Sequence, residues 1–265
     1  MDPTSETPPA TTPDRRLVGS DRVLAVLVEL SRHPAGIGLE DLARIVDSPK
    51  SSVHRALASL RRAQLAEQDG RGHYVLGDEF VRMAFSHHEA RPDHVRVRPL
   101  LTRLAEHFGE TVHYTVLAGR SVIYRSKVDP PTGAVKLTST VGGRNPAHAT
   151  GAGKLLLSQL LITPEQVVDW VQEAPLERRT PATITGADEL HAELAATRRR
   201  GYGIDDQETE PGVNCLALPV YLTTPSIPSG AISVSGLTYR MPIRELIDRV
   251  EEMRAILGPL GAPVP

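Results

Sequence analysis

Apolar residues recur at helical spacing in two short segments near the amino terminus, residues 39–46 and 53–60. Ser48 and Pro49 interrupt the pattern, and a serine cap followed by a proline is typical of the start of a helix. Residues 66–76 then contain two strand-like runs around an Asp-Gly-Arg-Gly turn. Two short helices with a tight turn and a following hairpin predict a winged helix-turn-helix, whose second helix fits the major groove of DNA.

The polar face of the second predicted helix lacks acidic residues. From Pro49 to Ala66 the chain carries one Lys, three Arg, one His and three Ser. Such side chains contact phosphates and base edges in complexes with DNA. Helices and hairpins of this kind also occur in proteins that do not bind DNA, and residues 14–72 have only a small excess of basic residues. The predicted DNA-binding residues are Lys50, Ser51, Ser52, His54, Arg55, Arg61, Arg62 and, in the hairpin turn, Arg71.

Two further helices are predicted in the amino-terminal third. Residues 20–31 are apolar on more than one face, which predicts that this helix helps to hold a dimer; burial in a small core is equally compatible. Residues 78–88 have acids at one end and histidines at the other, which favours a helix that links two domains. The predicted division is a disordered tail at 1–13, a DNA-binding domain at 14–77, a linker helix at 78–94 and a second domain at 95–265.

The rest of the chain mixes helices with hairpins. The predicted strands are residues 111–118, 121–128, 135–140, 215–222 and 230–237. The predicted helices are residues 95–108, a segment beginning near Gly151, and residues 164–171, 187–200 and 242–257. Because few strand–helix–strand crossovers are present, we expect an α+β fold in which a mostly antiparallel sheet is flanked by helices.

Length and composition limit the possible functions. The 265 residues suffice for two domains, and a net charge of −2 argues against general affinity for nucleic acid. The single cysteine, Cys215, excludes an intramolecular disulfide and gives no sign of a thiolate metal site. No apolar run approaches the roughly 20 residues that span a bilayer, and the acidic start is unlike a signal peptide. We therefore expect a cytoplasmic protein without membrane contacts.

Known catalytic motifs are not matched. The GAGK segment has His148 where a phosphate-binding loop requires Gly, and Leu155 where it requires Ser or Thr. Ser235 lacks the first glycine of a hydrolase elbow, and Cys215 has no recognisable activating base. We therefore predict no catalytic residue, cofactor or metal. The alternative to a DNA-binding protein is an enzyme that uses Cys215 or Ser235 on a small acid. A metal sensor would have to use the histidines His87, His88, His94 and His107.

Small and short polar residues in the second half suit the binding of a small anion. Gly151 and Ala152 would present backbone N–H groups at the start of a helix, where a ligand could approach closely. Short polar side chains near the ends of predicted strands would orient this ligand in an apolar pocket: Asp205, Cys215, Ser233 and Ser235. The glycines would equally serve as a simple helix cap, so the spacing leaves both interpretations open.

These segments together resemble the IclR family of bacterial transcription regulators. The amino-terminal match is GLEDLARIVDSPKSSVHRALASL, with a wing that ends in HYVLG. The carboxy-terminal matches are PAHATGAGK, RRRGYGIDDQETEPGVNCLALPV and the AISVSG strand. In this order and spacing the segments are specific, and the resemblance extends from about Arg16 to Gly258.

The resemblance implies a winged helix-turn-helix head joined by a helix to a GAF-like domain that binds a small carboxylate or aromatic acid. It also implies a homodimer, or a dimer of dimers, on double-stranded operator DNA. Asn145 and Ala147 replace residues that are commonly aliphatic in the family, so this pocket is expected to be roomier or more polar. We expect a repressor, located at the nucleoid when bound, although activation fits the sequence equally well. The implied effector-binding residues are Leu137, Asn145, Gly151, Ala152, Asp205, Cys215, Ser233 and Ser235.

Overall fold

The computed structural model of the chain describes residues 19–89, 92–130, 137–224 and 226–262. The chain divides near residue 90 into two units, each described by itself below. The tail predicted at residues 1–13 lies outside the described residues. Within the described part of the chain, no helix is long and apolar enough to span a bilayer.

The first unit is a winged helix-turn-helix, as predicted. β1 and β2 pair antiparallel, and an isolated bridge joins Ile37 to Tyr74, which ties the wing to the segment before α2. The helix predicted at residues 78–88 is present as α4 directly after the wing, and the next helix begins at Pro92, inside the linker predicted at 78–94. The elements of this unit are α1 (Gly19–Ser31), α2 (Leu39–Ile45), α3 (Lys50–Arg62), β1 (Ala66–Gln68), β2 (Tyr74–Leu76) and α4 (Asp78–Glu89).

The core of the first unit forms between α1, α2, α3 and the wing. α3 buries Val53, Leu57 and Leu60, the three apolar residues that predicted it. They pack with Val26 and Leu30 of α1 in one cluster. Because one side of α3 is buried in this way, its polar side is left facing solvent.

The start of α3 differs from the prediction. Pro49 occupies the cap position and the helix begins at Lys50, so Ser48 is not the cap. Asp47 has a φ of 46°, and the Ser48 N–H donates to the carbonyl of Ala43 at 3.0 Å. The Ser48 hydroxyl donates to a carbonyl in the same turn instead of capping α3. The backbone therefore closes the turn between the two helices.

The second unit is built on a six-stranded antiparallel sheet in the order β5-β4-β3-β8-β7-β6. The hairpin of β3 and β4 has the predicted bounds, whereas β5 and β6 were not predicted. The strands are β3 (Thr111–Ala118), β4 (Ser121–Val128), β5 (Arg144–Pro146), β6 (Gly203–Asp206), β7 (Val213–Val220) and β8 (Gly230–Leu237). The helices are α5 (Pro92–Phe108), α6 (Gly151–Leu157), α7 (Pro164–Glu173), α8 (Ala187–Arg200), α9 (Ile243–Asp248) and α10 (Val250–Leu257).

Alternation along the strands separates the two faces of this sheet. Val112 and Tyr114 of β3 and Ile232 of β8 belong to an apolar core with α5, α9 and α10. The intervening residues of the same strands, among them His113 and Ser233, point to the opposite face, where α6 packs. The alternation of side chains along each strand therefore places the polar ones on the face that α6 covers.

Two predicted elements are corrected by the structure. Residues 137–140, the described part of the strand predicted at 135–140, are not a strand, and β5 pairs with β4 in its place. The helix predicted at 242–257 is divided at Arg249, whose backbone angles of −100° and 12° leave the helical range. The Arg249 guanidinium lies 4.2 Å from the centre of the Phe108 ring, so this break is held against α5.

Candidate functional site

The predicted DNA-binding residues lie on one exposed face of α3 and at the tip of the wing. On α3, Lys50, Ser51, His54, Arg55, Arg61 and Arg62 are exposed and Ser52 is half-buried. Arg55 donates to the Ser52 hydroxyl at 3.4 Å, and Lys50 forms an exposed ion pair with Glu40 of α2. Exposed pairs contribute only about 0–1 kcal/mol, so DNA phosphates can replace these partners at little loss.

The wing tip is ordered by Asp69. Its carboxylate accepts the backbone N–H groups of Arg71 at 2.9 Å and His73 at 2.8 Å. The bond from His73, followed by the bond and charge of Arg71, lowers the pKa of Asp69, so the acceptor stays ionised. This turn leaves the Arg71 side chain in solvent, with its Nε 3.4 Å from the Asp69 carboxylate.

In the second unit a cavity of about 230 Å³ lies on the α6 face of the sheet. Each strand contributes a polar side chain to it, because the register aligns the residues of the same face across the sheet. Gly151, by contrast, packs its backbone against Gly203 and Asp205 of β6 and is not in the lining. The predicted residues that do line the cavity are Leu137, Asn145, Ala152, Asp205, Cys215, Ser233 and Ser235.

Asp205 and Cys215 face each other across β6 and β7. Asp205 is 4% exposed and accepts the backbone N–H of Glu208 at 2.7 Å. Burial raises the pKa of Asp205, which makes its protonated form more accessible. Burial and the charge of Asp205 raise the pKa of Cys215 to about 11. The Cys215 thiol therefore stays protonated at neutral pH, which does not suit a nucleophile.

The sequence did not indicate two cavity residues, His113 and Tyr124. His113 is 2% exposed, and its Nε2 lies 2.8 Å from the Ser139 hydroxyl. The His113 and Tyr124 rings lie 4.6 Å apart, and the Tyr124 hydroxyl accepts from Asn145 at 2.9 Å. Tyr124 lies on the same face as Val122, two residues before it, and pairs with Thr115 in the uninterrupted part of the hairpin.

A buried ion pair connects α6 to the segment that follows β6. Lys154 of α6 is 1% exposed and binds the carboxylate of Glu208. Glu193 of α8 lies 3.5 Å from the same ammonium and also binds Arg200 at 2.7 Å. Burial raises the pKa of Glu208 to about 7, and Lys154 opposes this shift. The lysine thereby joins α6, α8 and the segment that follows β6.

Arg179 is a further lining residue that the sequence did not indicate. Its Nε donates to the carbonyl of Thr209 at 3.0 Å. Thr209 also lines the cavity and donates its hydroxyl to the carbonyl of Ala149 at 2.8 Å. Arg179 lies in a segment without helix or strand. Its sequence context therefore does not indicate that it packs near β6.

The histidines considered for a metal show no metal site in the described part of the chain. His107 binds the carboxylate of Glu252 at 2.6 Å, which is a pair between α5 and α10. No group of three possible metal ligands is found among the described residues. The side chains of His87, His88 and His94 lie outside what the structure describes.

Comparison with known proteins gives a consistent result for both units. The model of the IclR helix-turn-helix domain matches residues 20–70, and that of the bacterial transcriptional regulator IclR C-terminal domain matches residues 94–256. Transcriptional repressor IclR of Escherichia coli (strain K12) is 33% identical over 240 residues, which cover 89% of this chain and 84% of that protein.

Two solved structures are similar over much of the chain. The IclR protein of Thermotoga maritima is 21% identical at a TM-score of 0.71, and the match covers 90% of this chain and 96% of that protein. At this identity the similarity shows a shared fold. The second is the inducer-binding domain of a PobR double mutant from Acinetobacter with 3-hydroxybenzoic acid. It is 29% identical at a TM-score of 0.55, and covers 60% of this chain and 92% of its own.

Proposed function

The chain belongs to the IclR family of bacterial transcriptional regulators, and we propose that it is a repressor whose hold on operator DNA is controlled by a small organic acid. The observation that carries this proposal is the exposed face of α3, which has Lys, Arg, His and Ser but no acid. Residues 14–77 would be the DNA-binding domain, 78–94 the linker and 95–265 the effector domain. The protein would act in the bacterial cytoplasm, at the nucleoid when bound.

On DNA, α3 would enter the major groove, with Ser51, Ser52, His54 and Arg55 at base edges or phosphates. The exposed basic residues Lys50, Arg61, Arg62 and Arg71 would contact the backbone. Two heads of a homodimer would read a pseudo-palindromic operator. The apolar side chains of Leu24 and Val28 on α1, which are 60% and 52% exposed, support a partner along this helix. Both a dimer and a dimer of dimers agree with this arrangement.

The cavity in the second unit supports a small acid as the effector. A cavity of roughly 150 Å³ is large enough for benzene, and this one measures about 230 Å³ with polar groups on every strand. The PobR domain binds 3-hydroxybenzoic acid, which is an aromatic acid of suitable size. Such a ligand changes DNA binding only if its affinity differs between the DNA-competent and incompetent states. We propose that the acid favours the incompetent state.

Fluorescence anisotropy with DNA from upstream of the protein's own gene tests this function. Arg55→Ala should weaken specific binding about 5- to 150-fold, which corresponds to roughly 1–3 kcal/mol for a lost base or phosphate contact. Arg82→Ala is the matched control, since Arg82 of α4 is 67% exposed and paired with Glu79. If Arg55→Ala binds the operator as tightly as the wild type, α3 does not read DNA as proposed. 3-Hydroxybenzoate and related acids, added to the complex, should release the DNA.

The alternative, an enzyme that uses Cys215 or Ser235, has less support. The matched family models and relatives are those of regulators. The raised pKa of the Cys215 thiol is opposite to what a nucleophile needs. Turnover of a small acid that is lost in Cys215→Ala would favour the enzyme.

A further inference from the structure

Arg179 brings a positive charge to the mouth of the proposed effector cavity. It lines the cavity while its side chain is 34% exposed, which is expected of a residue at the opening. Burial raises the pKa of Tyr124 to about 12, and the charge of Arg179 acts against this shift. Tyr124 lines the same cavity from β4. The guanidinium therefore lies close enough to the interior to act on the groups there.

The backbone around Arg179 is fixed to the segment that follows β6. The Thr183 hydroxyl accepts the backbone N–H groups of Arg179 at 3.1 Å and Thr180 at 2.9 Å. The hydroxyls of Thr180 and Thr183 donate to the carbonyls of Gln207 and Glu208, both at 2.7 Å. Both threonines are buried. A cation held on such a fixed backbone is ordered before a ligand arrives, which lowers the entropic cost of binding.

The guanidinium of Arg179 keeps donors for a ligand. Its Nε donates to the carbonyl of Thr209 at 3.0 Å, which orients the group. Its Nη1 lies 3.4 Å from the carboxylate of Glu177, a 62% exposed side chain, and such exposed pairs are weak. Among the described residues no partner is found for Nη2. The two Nη groups can therefore donate in parallel to both oxygens of a carboxylate, which is a strong and specific pairing.

The other charged residues of the lining are less suited to an acid group. Asp205 and Glu210 are acids themselves, and Arg144 of β5 is a second cation. The next residue, Asn145, bonds the Tyr124 hydroxyl inside the lining. Because successive side chains of a strand point to opposite faces, Arg144 leaves β5 on the far side. Within the described part of the chain nothing orients the Arg144 guanidinium as Thr209 orients that of Arg179.

We infer that Arg179 binds the acid group of the effector at the mouth of the cavity, and that the rest of the ligand extends inward to Cys215, Ser233 and Ser235. The inference rests on the proposed function, because it assumes that the effector binds in this cavity. It assigns recognition of the negative charge to the segment between α7 and α8, whereas the sequence suggested the backbone N–H groups at the start of α6.

Isothermal titration calorimetry of the full chain with acids and their amides tests this assignment. The pairs are benzoate with benzamide, 3-hydroxybenzoate with 3-hydroxybenzamide, and propionate with propionamide. A carboxamide has nearly the shape of a carboxylate but no charge. At least one acid should bind the wild type roughly 10- to 100-fold tighter than its amide, the range of a hydrogen bond between charged groups.

Substitutions of Arg179 should change this ratio of affinities. In Arg179→Gln the preference for the acid should fall to about one, because the acid binds more weakly while the amide is little affected. Arg179→Lys keeps the charge without the planar fork and should retain an intermediate preference. A purely structural role of Arg179 would instead weaken the acid and the amide alike.

Arg178→Gln is the matched control. Arg178 is the adjacent residue, donates to the carbonyl of Pro181 and the hydroxyl of Thr185, and lies outside the cavity lining. This variant removes the same charge from the same segment, so it should keep the preference of the wild type.

Two results overturn the inference alone: acids and amides bind equally to the wild type, or Arg179→Gln keeps the preference. If Arg144→Gln loses the preference in the second case, the acid group binds at β5. In both cases acids that still bind and release the operator leave the proposed function intact. If no acid binds and none changes operator affinity, the proposed function fails, and the inference fails with it.

Discussion

The contact between α6 and β6 leaves no room for a side chain at Gly203. A Cβ at this position would lie 2.0 Å from the carbonyl oxygen of Gly151, where ordinary contact begins at 3.4 Å. The backbone must therefore separate by the difference, about 1.4 Å. Overpacking of this kind costs about 1–3 kcal/mol, and we expect the upper end because the obstacle is backbone. Since domains are stable by about 5–15 kcal/mol, Gly203→Ala should still fold.

The same displacement should damage the proposed effector site. Ala152 of α6 and Asp205 of β6 line the cavity on either side of this contact. Hydrogen bonds require about 2.7–3.2 Å between heavy atoms, so a shift of about 1.4 Å takes a ligand out of reach of one wall. Effector affinity should fall at least tenfold, whereas operator binding without effector should not change.

Urea unfolding followed by Trp170 fluorescence measures the stability of the second unit. Trp170 is the single tryptophan of the chain and lies in α7, with the Arg120 guanidinium 3.8 Å from its ring. Gly186→Ala is the control, because its Cβ would meet nothing closer than 3.9 Å and its φ is −97°. At a helix cap this change should cost at most about 1 kcal/mol. Equal unfolding midpoints for Gly203→Ala and the wild type would refute the reasoning.

Two further predictions concern ionisation in the cavity. Because burial raises the pKa of Asp205, its ionised form repels a carboxylate ligand more as the pH rises through that pKa. Calorimetry should show the affinity for hydroxybenzoates falling from acidic to neutral pH, and Asp205→Asn should flatten the profile; an unchanged slope in this variant would exclude Asp205. With a pKa of about 11 in place of 9.0, the Cys215 thiol should react with iodoacetamide about 100-fold more slowly in the folded protein than in urea. Equal rates would refute the raised pKa, and a faster reaction in the folded protein would show an activated thiol and revive the enzyme alternative.

The sequence predicted the elements that have a strong period of their own. The stripe of Val53, Leu57 and Leu60 located α3 and, by exclusion, its exposed basic face. The hairpin of β3 and β4 was predicted with its observed bounds, since Gly119 marks the turn between two alternating runs. In these cases the physical signal is local, and packing only confirms it.

Features that arise from pairing were missed. β5 is a short polar strand, recognisable only by its pairing with β4. Tyr124 belongs to the cavity only through its neighbours Asn145 and His113, which lie on other strands. His113 becomes a neighbour of Ser233 only when β3 pairs with β8, from the far end of the same domain. Cys215, Ser233 and Ser235 were named from the sequence of their own strands, whereas His113, Tyr124 and Arg179, whose place in the cavity depends on pairing and folding, were not.

Lys154 limits how the proposed effector cavity can be redesigned for a new ligand. One enclosed ammonium satisfies carboxylates from two other segments, Glu208 and Glu193. Removing one member of such a group leaves a buried charge without its partner and is destabilising. Replacing the whole group by well-packed apolar residues is often neutral or stabilising. The effects of substitutions at Lys154, Glu193 and Glu208 are therefore expected to depend strongly on one another. Libraries aimed at altered ligand specificity should keep all three or exchange them together.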